Sequence, residues 1–243
     1  IFTLDIKTCP LPPSSFAEFM EKLSLTPSSL RSLKIKANKN TTMGRSHMKG
    51  LGSLGRISIY GTVGFEEDIF EETKNVSWLA LKSNQIRLHQ NLFKPFNQLV
   101  TLELGQHELQ NFPLGLFKYL TSLRRLNMWQ CKISNLTAEV FEGLNGLEEL
   151  DLSVNLLESL PSDLFLNTPK LKLLNLSANK FTSLPENLFT TTPELKLLRL
   201  NDNNNNLLQL PDRFLSNLTM LTEVQIKKCN IEYMPKTLMW ESP

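Results

Sequence analysis

LEELDLSVNLLESLPSDLF (Leu147–Phe165) is followed 24 residues later by LKLLNLSANKFTSLPENLF (Leu171–Phe189), and the two follow one pattern. Two earlier copies open with LVTLELGQHELQNFP at Leu99 and LRRLNMWQCKISNLT at Leu123. The shared skeleton is L-x-x-L-x-L-x-x-N-x-L-x-x-L-P-x-x-x-F. A fixed period of this length stacks one supersecondary unit on the next, because no unit can bury its apolar side alone. The expected product is a solenoid with an exposed sheet, which is a surface for another macromolecule more often than a pocket for chemistry.

The skeleton is that of a leucine-rich repeat, and its phase extends outward in both directions. Later copies open at Leu195 and Leu221; earlier ones at Val76, Leu54, Leu30 and Ile1, making ten starts in all. The fold class is therefore α/β, a leucine-rich repeat horseshoe with a parallel concave sheet of about ten repeats. Residues 1–243 are expected to form one array. In L-x-x-L-x-L the leucines of a short strand point inward and the residues between them face the concave side. Phe117, Phe141, Phe165 and Phe189 hold the back of the regular coils, each worth about 1.5–3 kcal/mol when buried. The first copy is longer and contains Ser15-Phe-Ala-Glu18, a capping box. Phe16, Phe19, Met20 and Leu23 follow at helical spacing, so an inserted helix is expected near 15–25. The ninth copy has extra residues within Asn201–Asn206, which predict a polar loop at the rim.

Cys9, Cys131 and Cys229 all fall on the ninth position of their copies, where Asn38, Asn84, Asn155, Asn179 and Asn203 stand elsewhere. That side chain turns inward to the backbone of adjacent coils, so the cysteines read as structural core residues and not as a disulfide framework. Coil-scale separation keeps them from pairing with one another; Cys9 stays open to a cysteine outside this chain. Sequons at Asn40, Asn75, Asn135, Asn175 and Asn217 are candidate glycosylation sites. They support secretion weakly, because a chain this rich in Asn, Ser and Thr contains several by chance. Asn175 lies on a predicted concave strand, where a glycan would block a ligand. A net charge of +2 does not call for nucleic acid or an anionic membrane. No stretch is long and apolar enough to span a bilayer. The chain begins inside a strand and stops inside a coil, so it reads as a piece of a longer array.

Other motifs dissolve once the phase is known. Gly50-Leu-Gly52-Ser-Leu-Gly55 matches G-x-G-x-x-G, but a dinucleotide site needs a strand before it and a helix after it. Here the glycines close one coil and a strand, Arg56–Tyr60, is expected to follow. His47, His89 and His107 belong to different coils, with no metal-ligand spacing. No nucleophile has a recognisable base partner. No catalytic residue, metal or cofactor is expected, and the chain is not read as an enzyme.

What remains is the concave face. Its early part presents Lys7, Lys34, Lys36, Arg56, Tyr60, Trp78, Lys82, Glu103, Arg125, Asn127 and Trp129. Its later part presents Glu149, Asp151, Asn175, Arg199, Asp202, Glu223, Lys227 and Lys228. The early half is more basic and holds three aromatic side chains, and Trp, Tyr and Arg are enriched in binding hot spots. The candidate ligand-binding set is Lys34, Lys36, Arg56, Tyr60, Trp78, Lys82, Glu103, Arg125, Asn127 and Trp129, facing a protein with an acidic or mixed surface.

LNMWQCKISNLTAEVFEGLNGLEELDLSVNLLESLPSDLF (Leu126–Phe165) resembles the repeats of an insect Toll receptor ectodomain. The leading segment is similar to the amino-terminal region of that family: Cys9-Pro-Leu-Pro, the inserted helix, then LRSLKIKANKNTTMGRSHMKGLGSLGRISI. The family's cysteine-rich leading cap is not in this chain. The resemblance implies a single-pass cell-surface receptor, facing the extracellular side of the plasma membrane. Its membrane segment and signalling domain lie outside this chain. It implies a Spätzle-like cystine-knot cytokine as ligand on the amino-terminal concave face, innate immune or developmental signalling, and scope for receptor dimerisation. It transfers no individual contact residue. The alternatives are a secreted leucine-rich immune or matrix protein that binds partners without signalling, and a cytosolic leucine-rich scaffold.

Overall fold

The computed structural model describes residues 2–7, 15–36, 41–61, 63–82, 88–109, 112–203 and 210–231. Cys9, Asn38, Asn40, Asn84 and the 204–206 part of the polar loop lie outside them.

The inward side chains of coils two to nine are buried, while Leu4, Val224 and Ile226 in the two end coils are half-buried, and this one-sided burial turns every repeat into a strand. The strands are β1 (Phe2–Lys7), β2 (Leu30–Lys36), β3 (Thr41–Met43), β4 (Arg56–Tyr60), β5 (Val63–Phe65), β6 (Trp78–Lys82), β7 (Thr101–Glu103), β8 (Arg125–Asn127), β9 (Glu149–Asp151), β10 (Leu173–Asn175), β11 (Leu197–Arg199) and β12 (Glu223–Gln225). Ten of them form one parallel sheet in the order β1-β2-β4-β6-β7-β8-β9-β10-β11-β12. The register runs without slip through the later coils: Leu102, Leu126, Leu150, Leu174 and Leu198 are lateral partners in succession. Each is buried. A one-residue slip would turn these leucines to the solvent face, so burial of one face enforces the register.

A second sheet, not foreseen from the repeat, pairs β3 with β5 in parallel. The back of the solenoid is a phenylalanine column. Phe141, Phe165 and Phe189 stack with ring centroids 6.4 and 6.0 Å apart and interplanar angles of 17° and 11°. Phe93 stacks likewise on Phe117, at 6.2 Å.

Asparagine stitches the coils from inside. Asn155 Nδ2 donates to the carbonyls of Met128 and Leu152, each at 2.9 Å, while its Oδ1 accepts from the Cys131 and Ile133 amides at 2.9 and 3.1 Å. Asn179 donates to Leu152 and Leu176 in the same way. Cys131 occupies the equivalent place, and its Sγ donates to the Leu104 carbonyl at 3.1 Å. Cys229 Sγ does so to Leu200 at 3.0 Å, though this cysteine is only half-buried. One member was missed in the sequence. His107 is buried at the ninth position of its copy and bonds the Leu81 carbonyl through Nε2.

Among the described residues, the one preceding this ladder position adopts left-handed φ in six coils: Gln106, Gln130, Val154, Ala178, Asp202 and Lys228, all between 53° and 68°. The chain thereby leaves the sheet and turns toward the back.

The inserted helix is α1 (Phe16–Lys22), shorter than the 15–25 expected. Ser15 Oγ caps it, accepting from the Ala17 and Glu18 amides at 3.1 and 3.4 Å. Phe16 and Met20 are buried, but Leu23 is 53% exposed, so it does not extend the apolar face. The reason is local. Ser24 takes φ 58°, and the Leu25 amide returns to the Met20 carbonyl at 2.9 Å. Leu25 then packs on the core in place of Leu23.

The glycine motif lies between the short helix α2 (Arg45–Met48) and β4, with a strand and not a helix after it. The Gly55 carbonyl accepts from the Ser77 and Trp78 amides. That role is coil-to-coil stitching.

Candidate ligand-binding face

Three columns of outward side chains cross the sheet, because alternate strand residues share a face. The first runs Arg56, Trp78, Thr101, Arg125, Glu149, Leu173, Leu197, Glu223. The second includes Lys34, Ser58, Ala80, Glu103, Asn127, Asp151, Asn175 and Arg199. In the third, Lys36, Tyr60 and Lys82 are direct lateral partners. Past the ends of the shorter strands, Gly105, Trp129, Ser153 and Ser177 stand two residues beyond Glu103, Asn127, Asp151 and Asn175.

All ten predicted ligand-binding residues fall on this face, half-buried or exposed. Two of the aromatic rings already hold cations. The Arg56 guanidinium lies 4.8 Å from the Trp78 ring centroid and Lys34 Nζ 5.6 Å from that of Tyr60. Such contacts contribute about 0.5–1 kcal/mol at exposed sites and fix the planes of the rings. The remaining charges are knitted across strands. Lys82 pairs with Glu103 at 2.9 Å, Arg125 with Glu149 at 3.2 Å, and Lys34 with Asp5 at 3.9 Å. Arg125 also reaches Thr101 Oγ1 at 3.5 Å.

Asn127 is partly structural: its Oδ1 accepts the Trp129 amide at 3.0 Å and holds the turn that presents Trp129. The indole of Trp129 lies over the backbone of Gly105. Below the face, on the flank, Glu148 lies between Lys172 at 3.0 Å and Arg124 at 3.7 Å, and the Lys172 hydrogen bond holds its carboxyl below the usual range.

The expected charge gradient is present. β1 to β6 present Lys7, Lys34, Lys36, Arg56 and Lys82 against Asp5. The later strands mix Glu149, Asp151 and Glu223 with Arg199. Two concave leucines went unremarked in the sequence, Leu173 and Leu197. They are lateral partners in the first column, half-buried on a face otherwise polar. They stand at a position the skeleton leaves open, and the K-L-L tripeptide around each hides an outward leucine beside an inward one.

The chemistry of the interior is inert. Burial pushes the Cys131 thiol up to about 11, so it stays protonated at neutral pH. Among the described residues, no group of three His, Cys, Asp or Glu side chains is placed to hold a metal ion. No described helix is long and apolar enough to cross a membrane.

A leucine-rich repeat family model matches residues 97–157, 121–181 and 145–204. No curated protein matches the chain in sequence. Among solved structures, the chain is similar to the Drosophila Toll–Spätzle complex at 28% identity with a TM-score of 0.89, covering 99% of this chain and 32% of that one. The glycosylated form of that complex matches at 28% identity and 0.82, over 99% and 33%. The complex of TLR13 with a single-stranded RNA matches at 22% identity and 0.69, over 86% and 34%, which speaks to fold alone. The chain thus spans about a third of the length of the structures it matches. Over its own length it is a leucine-rich repeat solenoid similar in fold to Toll-type receptor ectodomains.

Proposed function

We propose that this chain is the amino-terminal ligand-binding region of a Toll-type receptor ectodomain, located on the extracellular side of the plasma membrane. Its ligand is a protein of the Spätzle-like cystine-knot class, held on the concave face of coils two to six. The observation that supports this best is the basic, aromatic early face on a chain whose fold parallels a ligand-bound Toll ectodomain over 99% of its length. Trp129, Trp78 and Tyr60 offer rigid apolar area, and the cations around them suit an acidic or mixed partner. The role is recognition and not catalysis, and the parent receptor signals in immunity or development, with dimerisation on ligand binding.

The test is a titration of the chain against secreted cystine-knot cytokines from the same organism, with a single-stranded RNA as a parallel arm. Saturable binding of one cytokine, lost on changing early concave residues, is the expected result. Failure of every cytokine would overturn the receptor reading in favour of a secreted leucine-rich protein with other partners. Binding of the RNA alone would move the ligand class to nucleic acid.

A further inference from the structure

The late concave face carries a feature that the binding of a ligand on coils two to six leaves unused. Leu173 and Leu197 lie side by side on it, half-buried, with Asn175 on the same strand and the same face two residues after Leu173. Asn175-Leu176-Ser177 is a sequon. Among the four sequons whose asparagines are described, this one alone is on the concave sheet; Asn75, Asn135 and Asn217 are exposed off its strands.

The amide of Asn175 is set differently from that of the ladder asparagines. Its Oδ1 accepts the Ser177 amide at 3.1 Å, and the described residues give Nδ2 no bond. That leaves the nitrogen a glycan would occupy uncommitted. Ser177 is the second sign. Its hydroxyl is buried and has no hydrogen-bond partner among the described residues. Ser153, at the same place one coil earlier, satisfies its hydroxyl on Asp151 Oδ1 at 2.6 Å. A buried, unsatisfied hydroxyl costs about 1–3 kcal/mol and calls for a reason. Alanine would fit the site as well; the hydroxyl is what a glycosylation acceptor requires.

We infer that Asn175 carries an N-linked glycan whose first sugar lies against Leu173 and Leu197, so that the late concave face is closed to protein and binding is confined to the early coils. The occupant follows from geometry. Residues two apart on a strand, and their diagonal neighbours on the next, lie within about 7–8 Å of one another. A sugar on Asn175 therefore reaches both leucines, and its apolar face covers area that otherwise meets water.

The inference rests on the extracellular reading, and one experiment separates the two. The chain is secreted from a eukaryotic cell line and its glycopeptides are mapped by mass spectrometry, with Ser177→Ala as the control. Ser177→Ala keeps Asn175 and its Oδ1 bond and removes the acceptor signal together with the unpaired hydroxyl. The expected result is a glycan on Asn175 together with one or more of Asn75, Asn135 and Asn217. Ser177→Ala then loses one glycan's mass, holds or raises its thermal midpoint because the unpaired hydroxyl is gone, and gains binding of an apolar dye that Leu197→Thr removes again. Occupied outer sequons with a bare Asn175 overturn the inference alone. No glycan at any site overturns the extracellular reading with it. A glycan on Asn175 without the gain in dye binding overturns its placement over the leucines.

Discussion

The indole of Trp129 lies on the backbone of Gly105, the residue at the same position of the preceding coil. A Cβ built at 105 would collide with its Nε1 and Cδ1. Glycine is therefore the floor that lets this indole lie flat on the concave face. Gly105→Ala is expected to lift the indole off the sheet. Because Trp129 is at the surface and can swing outward, the stability cost should be about 1 kcal/mol, at the low end for overpacking. Trp129→Ala should weaken ligand binding by about 2 kcal/mol or more, as hot-spot anchors do, and Gly105→Ala should reproduce most of that loss. Tryptophan fluorescence and a binding titration on both variants check this. Unchanged affinity in Trp129→Ala would move the binding surface elsewhere.

Arg125 offers a separation of stability from binding. Its partner Glu149 is 3.2 Å away, but the side chains are 55% and 48% exposed, so the pair is screened by solvent. Exposed pairs contribute about 0–1 kcal/mol. Arg125→Ala should therefore leave the thermal midpoint almost unchanged while weakening the protein ligand by about 2 kcal/mol. Glu149→Ala should leave affinity unchanged or improve it, since Arg125 is then released to the partner. A melt and a titration on both variants decide the matter; equal losses of affinity in the two would assign the effect to the pair and not to Arg125.

The solenoid was legible because a repeated position reports its burial several times over. Leu102, Leu126, Leu150, Leu174 and Leu198 are one structural position read five times, and each is buried as the period demands. The identities of the concave residues follow from the same phase, so all ten predicted ligand-binding residues are on that face. What the phase cannot supply is where a long side chain goes once it leaves the backbone. The placement of Arg56 over Trp78, and of Trp129 over Gly105, depends on rotamers and on the residue one coil away. His107 was missed for a different reason. Asparagine and cysteine are familiar at the ladder position, and histidine there is recognised only by counting nine from Leu99. Leu23 failed because helical spacing alone does not locate the end of a helix; the left-handed Ser24 does.

Cys131 makes a pH-dependent contribution whose sign is fixed by its burial. The unfolded thiol titrates near 9.0 and the folded one at about 11. Between these values the unfolded chain releases its proton and the folded chain does not. Stabilisation is thus complete below about pH 9 and lost as pH rises through about 11. In Cys131→Ser this loss should vanish, so the difference in stability between the two proteins narrows across that window in denaturant titrations. Alkylation near neutral pH followed by peptide mapping gives a second check. Cys229, half-buried, should react first, and Cys131 only when the chain unfolds. Rapid labelling of native Cys131 would contradict the buried ladder position.

Val154 is a place where the fold bears strain that a substitution can remove. It stands at φ 57°, in the left-handed turn that Gln106, Gln130, Ala178, Asp202 and Lys228 make in other coils. A β-branched residue is the least suited of these to that conformation, since its Cβ substituents crowd the following carbonyl. The residue is 43% exposed, so little packing is given up by changing it. Asparagine tolerates left-handed φ without the extra unfolded-state entropy of glycine. Val154→Asn should therefore stabilise the chain by about 1 kcal/mol, raising the thermal midpoint by about 2–4 °C for a domain of this size. The same change at Ala178, with no branched Cβ, should give less than half of that gain. Scanning calorimetry on the two variants measures both. A midpoint that falls in Val154→Asn would show that the exposed methyls make contacts worth more than the strain they impose.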